Sequence, residues 1–259
     1  MPFIEIQKSS FHFLQSGNQG QATILIHELG GNAESWRDHI NMNSYGGHMF
    51  AFDIAGSGLS EKKVEHSSID MHADNLAAVI LHLGCAPVDI IGIAFGALIG
   101  LAFGRRHPQL LRRAIFANCT DHIDEQSKTY VLSRAAKVRS EGMRSVIDQS
   151  LDNSFPKGFE NEKEKYRHIF LANDPQIYAD MSEALVEFSF NSSDGLAFNN
   201  PVLFLAGEQD FIWGPFTVDR VARLIPKAEM KILKNAGHLA HWQTSEHFVA
   251  ETRTFLNSI

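Results

Sequence analysis

The sequence predicts an α/β protein with a doubly wound, mostly parallel sheet and a helical insertion. Three observations predict this class. Short apolar and β-branched runs recur along the chain, helix-like segments separate them, and one central stretch holds helices alone. The chain has 259 residues and 44% hydrophobic content, which is enough for one core, so we expect a single domain over 1–259.

The predicted strands are short apolar runs of the kind that helices cover on both faces of a sheet. Before them, residues 3–14 alternate loosely and residues 17–20 are rich in turn formers, which together favour a hairpin of edge strands. The runs expected to form the main sheet are 22–27, 48–53, 88–93, 113–117, 201–206 and 230–233.

Helix-like segments lie between these runs. Residues 67–83 repeat apolar side chains at helical intervals, and Gly84 is well placed to end that helix. We therefore expect the core at 1–120 and 195–259 and a helical cap at 121–194. Further helices are expected at 97–103 and 248–256, and within the cap at 128–138, 142–151, 164–171 and 176–188.

Composition and charge exclude several classes of function. The formal net charge is −7, so no basic field exists to attract nucleic acid. No segment approaches ~18 consecutive apolar residues, and the first residues do not resemble a signal peptide, so we expect a soluble, cytoplasmic protein without a membrane partner. Cys85 and Cys119 show no metal-binding spacing and are expected to be free thiols.

The segment 90–97, IIGIAFGA, has the spacing of a nucleophile elbow. Gly92 and Gly96 lie two residues before and two after Ala94, between an apolar strand and an apolar helix. This G-x-S-x-G spacing permits a strained turn that exposes the central side chain at the sheet edge. Here that side chain is a methyl group, and Ala94 cannot attack a carbonyl.

A second motif, HELGG at 27–31, directly follows an apolar strand. In an elbow-type site the loop after this strand supplies one oxyanion-hole N–H, that of Leu29, and Phe95 supplies the other. Glu28 stands where such patterns have glycine. It is either an added carboxylate near the oxyanion site or a solvated loop residue.

The acid and the histidine follow in the expected order. Asp210 ends the segment LAGEQD after one apolar run, and His238 ends NAGH after the next. Asp210 would orient His238, and His238 would act as general base.

Other residues are candidates for the pocket or for substrate attraction. His241 could share the site, although polar packing is the simpler interpretation. In the cap, Arg134, Lys137 and Arg139 could attract a carboxylated substrate, but a solvated helix face explains them more simply. Candidate pocket residues are His27, Glu28, Trp36 and Trp213, with core packing the default for both tryptophans.

Five ordered segments, HELGG, FDIAGSGLSEK, GIAFGA, AGEQD and NAGHLAHWQTSEHF, resemble the α/β-hydrolase superfamily over essentially the whole chain. Through RRHPQLLRRAIFANC and SRAAKVRSEGMRSVIDQSL the chain is most similar to the 3-oxoadipate enol-lactonase group. That resemblance implies an α/β-hydrolase fold and the opening of small carboxylated enol-lactones by Ser, His and Asp without a cofactor. Asp210 and His238 match, whereas Ala94 departs from the pattern.

A second resemblance is to the aminoacrylate or carbamate hydrolases of pyrimidine breakdown, whose elbow can read GHALGA. Three explanations of Ala94 stay open: an engineered serine replacement, a natural enzyme in which His238 activates water or assists proton transfer, and a non-catalytic ligand-binding protein. We expect a hydrolase of a small ester, lactone or amide-like substrate bound between core and cap, with no cofactor and no metal.

Overall fold

An eight-stranded sheet forms the centre of the protein. The computed structural model describes residues 2–6, 9–62 and 67–258. The strand order is β1-β2-β4-β3-β5-β6-β7-β8. The strands are β1 Phe3–Ile6, β2 Ser9–Ser16, β3 Ala22–Ile26, β4 His48–Phe52, β5 Val88–Ile93, β6 Leu111–Ala117, β7 Val202–Gly207 and β8 Glu229–Leu233.

Strands β3 to β8 run parallel to one another, and β1 and β2 run antiparallel to their neighbours. The predicted α/β class is therefore confirmed, and each predicted apolar run lies on one of the six parallel strands. Adjacent residues face opposite sides of the sheet: Ile24 packs with one apolar cluster and Leu25 with the other. This explains why the runs carry apolar residues on both faces.

The predicted N-terminal hairpin differs in detail. Residues 3–14 form parts of two strands, β1 and β2, which pair antiparallel at one edge of the sheet. Residues 17–20 lead from β2 to β3, but β2 pairs with β4 rather than with β3. A turn-rich segment between two strands does not establish that the strands are neighbours.

Helices cover both faces of the sheet. They are α1 Arg37–Asn41, α2 Ile69–Leu83, α3 Phe95–Arg106, α9 Pro215–Ala222, α10 Ala240–Gln243 and α11 Ser245–Asn257. Side chains of α2, α3 and α9 belong to one apolar cluster, and side chains of α1 and α11 belong to the other. Helix α2 begins where Ser68 accepts a hydrogen bond from the Met71 N–H and ends at Gly84, which has a φ of 62°.

Five helices lie between β6 and β7, within the segment that we interpret as the cap. Side chains of the first four share an apolar cluster, which includes Val138, Phe155 and Phe170 and extends to Leu239 of the core. They are α4 Glu125–Glu141, α5 Ile147–Ser154, α6 Glu160–Leu171, α7 Pro175–Val186 and the unpredicted α8 Ser192–Leu196. Among the described residues, no helix is long and apolar enough to span a bilayer.

Candidate active site

The turn from β5 to α3 has the backbone geometry of a strained elbow. Ala94 has φ 50° and ψ −116°, a conformation that non-glycine residues rarely adopt. A Cβ atom at Gly92 would lie 2.5 Å from the Gly96 carbonyl oxygen, and one at Gly96 would lie 2.3 Å from the Ile26 carbonyl oxygen. Both glycines are therefore required by close backbone approach, and the turn projects the Ala94 methyl group from the end of β5.

Two backbone N–H groups beside Ala94 are free to bind an oxygen. Phe95 is the first residue of α3, so its N–H has no acceptor within the helix. Leu29 follows β3 on the neighbouring loop. Within the described residues, neither N–H donates a hydrogen bond to another protein group. Both residues line one cavity, which is described below.

Buried contacts of Asp53 hold the loop that carries Leu29. One carboxylate oxygen accepts from the Ala33 N–H at 2.6 Å, and the other accepts from the Leu59 N–H and from His12 Nδ1, each at 2.7 Å. Burial alone would raise the pKa of Asp53, but these hydrogen bonds hold it below its ordinary value. The loops after β3 and β4 are thereby joined beside the cavity.

Asp210 and His238 meet at the ends of β7 and β8. Nδ1 of His238 lies 2.9 Å from Oδ2 of Asp210. The other carboxylate oxygen accepts from the backbone N–H groups of Ile212, at 2.8 Å, and Trp213, at 3.2 Å. Asn118, which follows β6, donates from Nδ2 to Asp210 Oδ2 at 2.7 Å.

These contacts keep Asp210 ionised. Burial favours the neutral acid, but the neighbouring His238 and the hydrogen bonds from Asn118 and Ile212 outweigh it and lower the Asp210 pKa. An ionised carboxylate only accepts hydrogen bonds, so Nδ1 of His238 carries a proton. In neutral His238 the Nε2 atom is then the free base, and the ring lines the cavity.

A cavity of about 350 Å³ lies between the sheet edge and helices α4 to α7. This volume suits a small molecule. Its wall combines the elbow and the two free N–H groups with aromatic and polar side chains of the cap. The core contributes Glu28, Leu29, Ala94, Phe95, Trp213 and His238, and the cap contributes Tyr130, Arg134, Ser150, Tyr166 and Tyr178 among others.

The structure decides between the two interpretations of Glu28. Its side chain is 2% exposed and lines the cavity, so it is not a solvated loop residue. Oε1 accepts a hydrogen bond of 2.8 Å from the Ser35 hydroxyl. Burial raises the pKa of Glu28 to about 7, against smaller opposing effects of Ser35, Tyr166 and His238.

Arg134 also differs from the simpler expectation of a solvated helix face. It is half-buried, lines the cavity, contacts the Ser150 hydroxyl and donates to the Tyr178 hydroxyl at 3.1 Å. No carboxylate in the described part of the chain pairs with its guanidinium group. Lys137 and Arg139 are exposed, and Arg139 pairs with carboxylates on α7.

Two of the four candidate pocket residues, His27 and Trp36, lie outside the cavity wall, and for Trp36 this is the core packing taken as the default. The His27 ring donates from Nδ1 to the Glu28 carbonyl at 2.8 Å and accepts from the Ile54 N–H at 3.3 Å. It therefore connects the loops that follow β3 and β4. Trp36 is fully buried against His241. Trp213 does line the cavity, where its ring packs edge-on against His238.

Asn118 and Tyr166 are among the contributors to the site that the sequence analysis did not name. Asn118 stands alone after β6, in no motif, and reaches Asp210 only because parallel strands end at one sheet edge. Tyr166 lies on α6 and places its hydroxyl 3.4 Å from the Leu29 carbonyl oxygen. Asn118 could have been found from its position directly after a buried strand. Nothing in the sequence indicated that Tyr166 would lie at the site.

The fold and the strand-end site define an α/β-fold hydrolase. Residues 22–244 match the family described as alpha/beta hydrolase fold, and the chain belongs to that family. Cys85 and Cys119 are free, and no metal-binding group of His, Cys, Asp or Glu occurs among the described residues.

Several relatives carry hydrolase names. The chain is 25% identical over 231 residues to 3-oxoadipate enol-lactonase 2 of Acinetobacter baylyi, covering 88% of this chain and 85% of that protein. It is 23% identical over 256 residues to a Caulobacter protein named carbamate hydrolase RutD, covering 95% of each. The crystal structure of the enol-lactonase from Burkholderia xenovorans LB400 superimposes with a TM-score of 0.92 at 23% identity, covering 99% of this chain and 100% of that one.

Proposed function

We propose that the protein hydrolyses a small ester, lactone or amide-like substrate of the enol-lactone type, with His238 as base and Asp210 as its positioning residue. One observation carries this proposal. The His238 ring, hydrogen-bonded at Nδ1 to Asp210, lines the cavity that Ala94, Leu29 and Phe95 also line. A base and two oxyanion donors around one bound carbonyl are the requirements of acyl transfer.

With Ala94 in place, water is the attacking group. Nε2 of His238 takes a proton from a water molecule, and the resulting hydroxide adds to the substrate carbonyl carbon. The N–H groups of Leu29 and Phe95 stabilise the oxyanion that forms, and the helix dipole of α3 adds to this. The protonated His238 then gives its proton to the leaving oxygen or nitrogen, which regenerates the neutral base.

Arg134 supports a carboxylated substrate. The described residues provide no carboxylate partner for its guanidinium group, which lies on the cavity wall opposite the core. Placing a cation in a partly buried position without a counter-charge is unfavourable unless a ligand supplies one. A substrate with a carboxylate several bonds from its scissile carbonyl would supply it, in keeping with the enol-lactonase resemblance.

A second candidate is a carbamate or aminoacrylate type hydrolase or lyase. The methyl group of Ala94 is compatible with it, because that chemistry, like the water attack described above, needs His238 to activate water or move a proton but no nucleophilic side chain. The similarity to proteins named carbamate hydrolase RutD supports the same alternative. A protein that binds the ligand without turnover remains the third outcome of the test.

The test is a panel of enol-lactones, p-nitrophenyl esters and carbamates assayed with the parent protein, with His238→Ala and with Cys85→Ser. We expect His238→Ala to abolish turnover, because no other histidine in the described part of the chain lines the cavity, and Cys85→Ser to leave it unchanged. Equal turnover in all three proteins would overturn the role of His238. A bound product should place its carbonyl oxygen near the N–H groups of Leu29 and Phe95.

A further inference from the structure

Three exposed aromatic or aliphatic side chains line the cavity between core and cap. Phe211 and Ile212 lie on the loop that joins β7 to α9, and Tyr130 lies on α4 of the cap. Phe211 is 69% exposed, Tyr130 41% and Ile212 37%. Residues that line a cavity and also face solvent lie where the cavity opens. These three side chains therefore form an apolar mouth, with the core on one side and the cap on the other.

A tight turn holds Phe211 and Ile212 at this opening. The backbone N–H groups of Ile212 and Trp213 both donate to Oδ1 of Asp210, at 2.8 and 3.2 Å. Gly214 approaches the same turn so closely that an added Cβ atom would lie 2.2 Å from the Asp210 carbonyl oxygen. The carboxylate that is proposed to position the base thus also fixes the backbone on the core side of the mouth.

One face of α4 leads from the mouth to the guanidinium group of Arg134. Four residues of this helix line the cavity at helical spacing: Ser127, Tyr130, Val131 and Arg134. Tyr130 is exposed, whereas Arg134, one turn further along, is half-buried. A rise of about 1.5 Å per residue separates the two by about 6 Å along the helix axis. A ligand that lies along this face would meet a cation inside the cavity and apolar side chains at its opening.

We propose that the apolar mouth is a binding subsite for an apolar substituent of the substrate, either an alkyl chain or an aryl ring. This rests on the proposed hydrolysis and narrows its substrates to those that carry such a group beside the scissile ester, lactone or amide. Exposed side chains such as Phe211 and Tyr130 gain free energy when an apolar group covers them. A second charged group would lose its hydration there without gaining a partner.

Phe216 distinguishes a substrate subsite from a surface that binds another protein. It is 82% exposed and lies five residues after Phe211, at the start of α9, but outside the cavity wall. A docking surface for a second copy of the chain would use Phe216 as well as Phe211. A subsite continuous with the cavity uses Phe211 and not Phe216. Phe216→Ser is therefore the matched control for Phe211→Ser.

The test measures the binding of butyrate, hexanoate and octanoate to the parent, Phe211→Ser and Phe216→Ser by isothermal titration calorimetry. Each CH₂ group that leaves water for an apolar contact strengthens binding about 2- to 4-fold. We expect this gain per CH₂ in the parent and in Phe216→Ser. Phe211→Ser should lose most of it, and its heat capacity change on binding octanoate should be less negative than that of the parent.

The p-nitrophenyl esters of acetate, butyrate and hexanoate provide a kinetic readout. The kcat/KM of the parent and of Phe216→Ser should rise with acyl length, and Phe211→Ser should lose that rise. No gain in affinity with chain length in the parent, or an equal gain in all three proteins, would overturn the subsite.

Two further outcomes have distinct meanings. If sedimentation equilibrium shows a parent dimer that Phe211→Ser and Phe216→Ser both dissociate, the apolar surface binds a second copy of the chain and the subsite is wrong. If the parent turns over no ester, lactone or carbamate, the proposed hydrolysis is overturned. The carboxylate titrations would still decide whether the mouth binds an apolar group, because they need no turnover.

Discussion

Asn118 donates a hydrogen bond of 2.7 Å to Oδ2 of Asp210, the same oxygen that faces His238. Asn118 itself has φ 50° and lies at the end of β6, so the backbone accepts strain to hold the amide in this position. The amide therefore stabilises the ionised acid and fixes the direction in which it faces the histidine.

Replacing Asn118 with alanine should loosen the contact of Asp210 with His238 without removing the base. Loss of a hydrogen bond to a carboxylate raises the carboxylate pKa and costs about 1.5–3 kcal/mol. We expect kcat/KM to fall about 10-fold, and the loss of activity that follows protonation of Asp210 to begin at a higher pH than in the parent. Kinetics from about pH 3 to pH 9, with circular dichroism to follow stability, would measure both.

Asn200 provides the control for that experiment. Its amide donates at 2.7 Å to the Leu111 carbonyl oxygen, at the opposite end of β6 from the cavity. Asn200→Ala should lower stability but leave the pH profile of the rate unchanged. If Asn118→Ala also lowers stability but leaves the pH profile of the rate unchanged, Asn118 is a packing residue only.

The fold could be predicted because periodicity and strand-end position are local properties of the sequence. Runs such as 88–93 are apolar on both faces since helices cover both sides of the sheet, and Gly84 ends α2 as its conformational freedom allows. The edge on which Asp210 and His238 lie follows from parallel strand order alone. The β2–β4 pairing could not be predicted in this way. It joins two strands that are not consecutive in the chain, and the sequence does not show that β4 lies between β2 and β3.

The cavity wall was harder to predict because it depends on side-chain direction. Glu28 and Arg134 are charged residues of the kind that usually face solvent, and only tertiary packing reveals that one is buried and the other lines the cavity. His27 and Trp36 belong to motifs around the site yet lie behind its wall. Whether a loop side chain faces the cavity or the core follows from long-range contacts.

Substitution of Arg134 should separate carboxylated from neutral substrates. Arg134→Gln keeps a donor for Tyr178 but removes the charge, so we expect KM for a carboxylated lactone or ester to rise about 10- to 100-fold. KM for a neutral ester of similar size should change little. Steady-state kinetics on the matched pair of substrates measures the difference.

Arg139→Gln is the matched control on the same helix, since Arg139 pairs with Asp180 and Glu183 at the surface. It should not affect either KM. Equal effects of Arg134→Gln on charged and neutral substrates would mean that Arg134 only packs against the cavity wall.

The raised pKa of Glu28 predicts that the stability of the protein depends on pH. Its folded-state pKa of about 7 exceeds the ordinary value of 4.5, so folding favours the protonated form. The free energy of unfolding should fall, relative to Glu28→Gln, as the pH rises from about 4.5 to about 7, and should level off above. Each pKa unit corresponds to about 1.4 kcal/mol, so the whole change is ~3.5 kcal/mol.

Urea unfolding of both proteins across that range would measure the difference. The Glu34→Gln protein should follow the parent, because Glu34 is half-exposed and pairs with Arg37 outside the cavity. A stability difference between parent and Glu28→Gln that does not depend on pH would show that the pKa of Glu28 is close to its ordinary value.

Ala94→Ser addresses the residue that departs most from a serine-hydrolase site. The backbone at position 94 already has the elbow conformation, so serine adds only a hydroxyl group at no further backbone cost. If the site is an otherwise intact triad, the new hydroxyl lies within hydrogen-bond reach of His238. Each oxyanion donor is then worth ~3 kcal/mol, and activity on p-nitrophenyl esters should rise by several orders of magnitude with an acyl-enzyme burst.

The double variant Ala94→Ser, His238→Ala should lose that gain, because the hydroxyl then has no base. If the alanine form already turns over a substrate and the serine form is no faster, His238 activates water directly and the serine-free mechanism is correct. A folded serine form with no turnover on any of these substrates would contradict the enol-lactonase proposal itself.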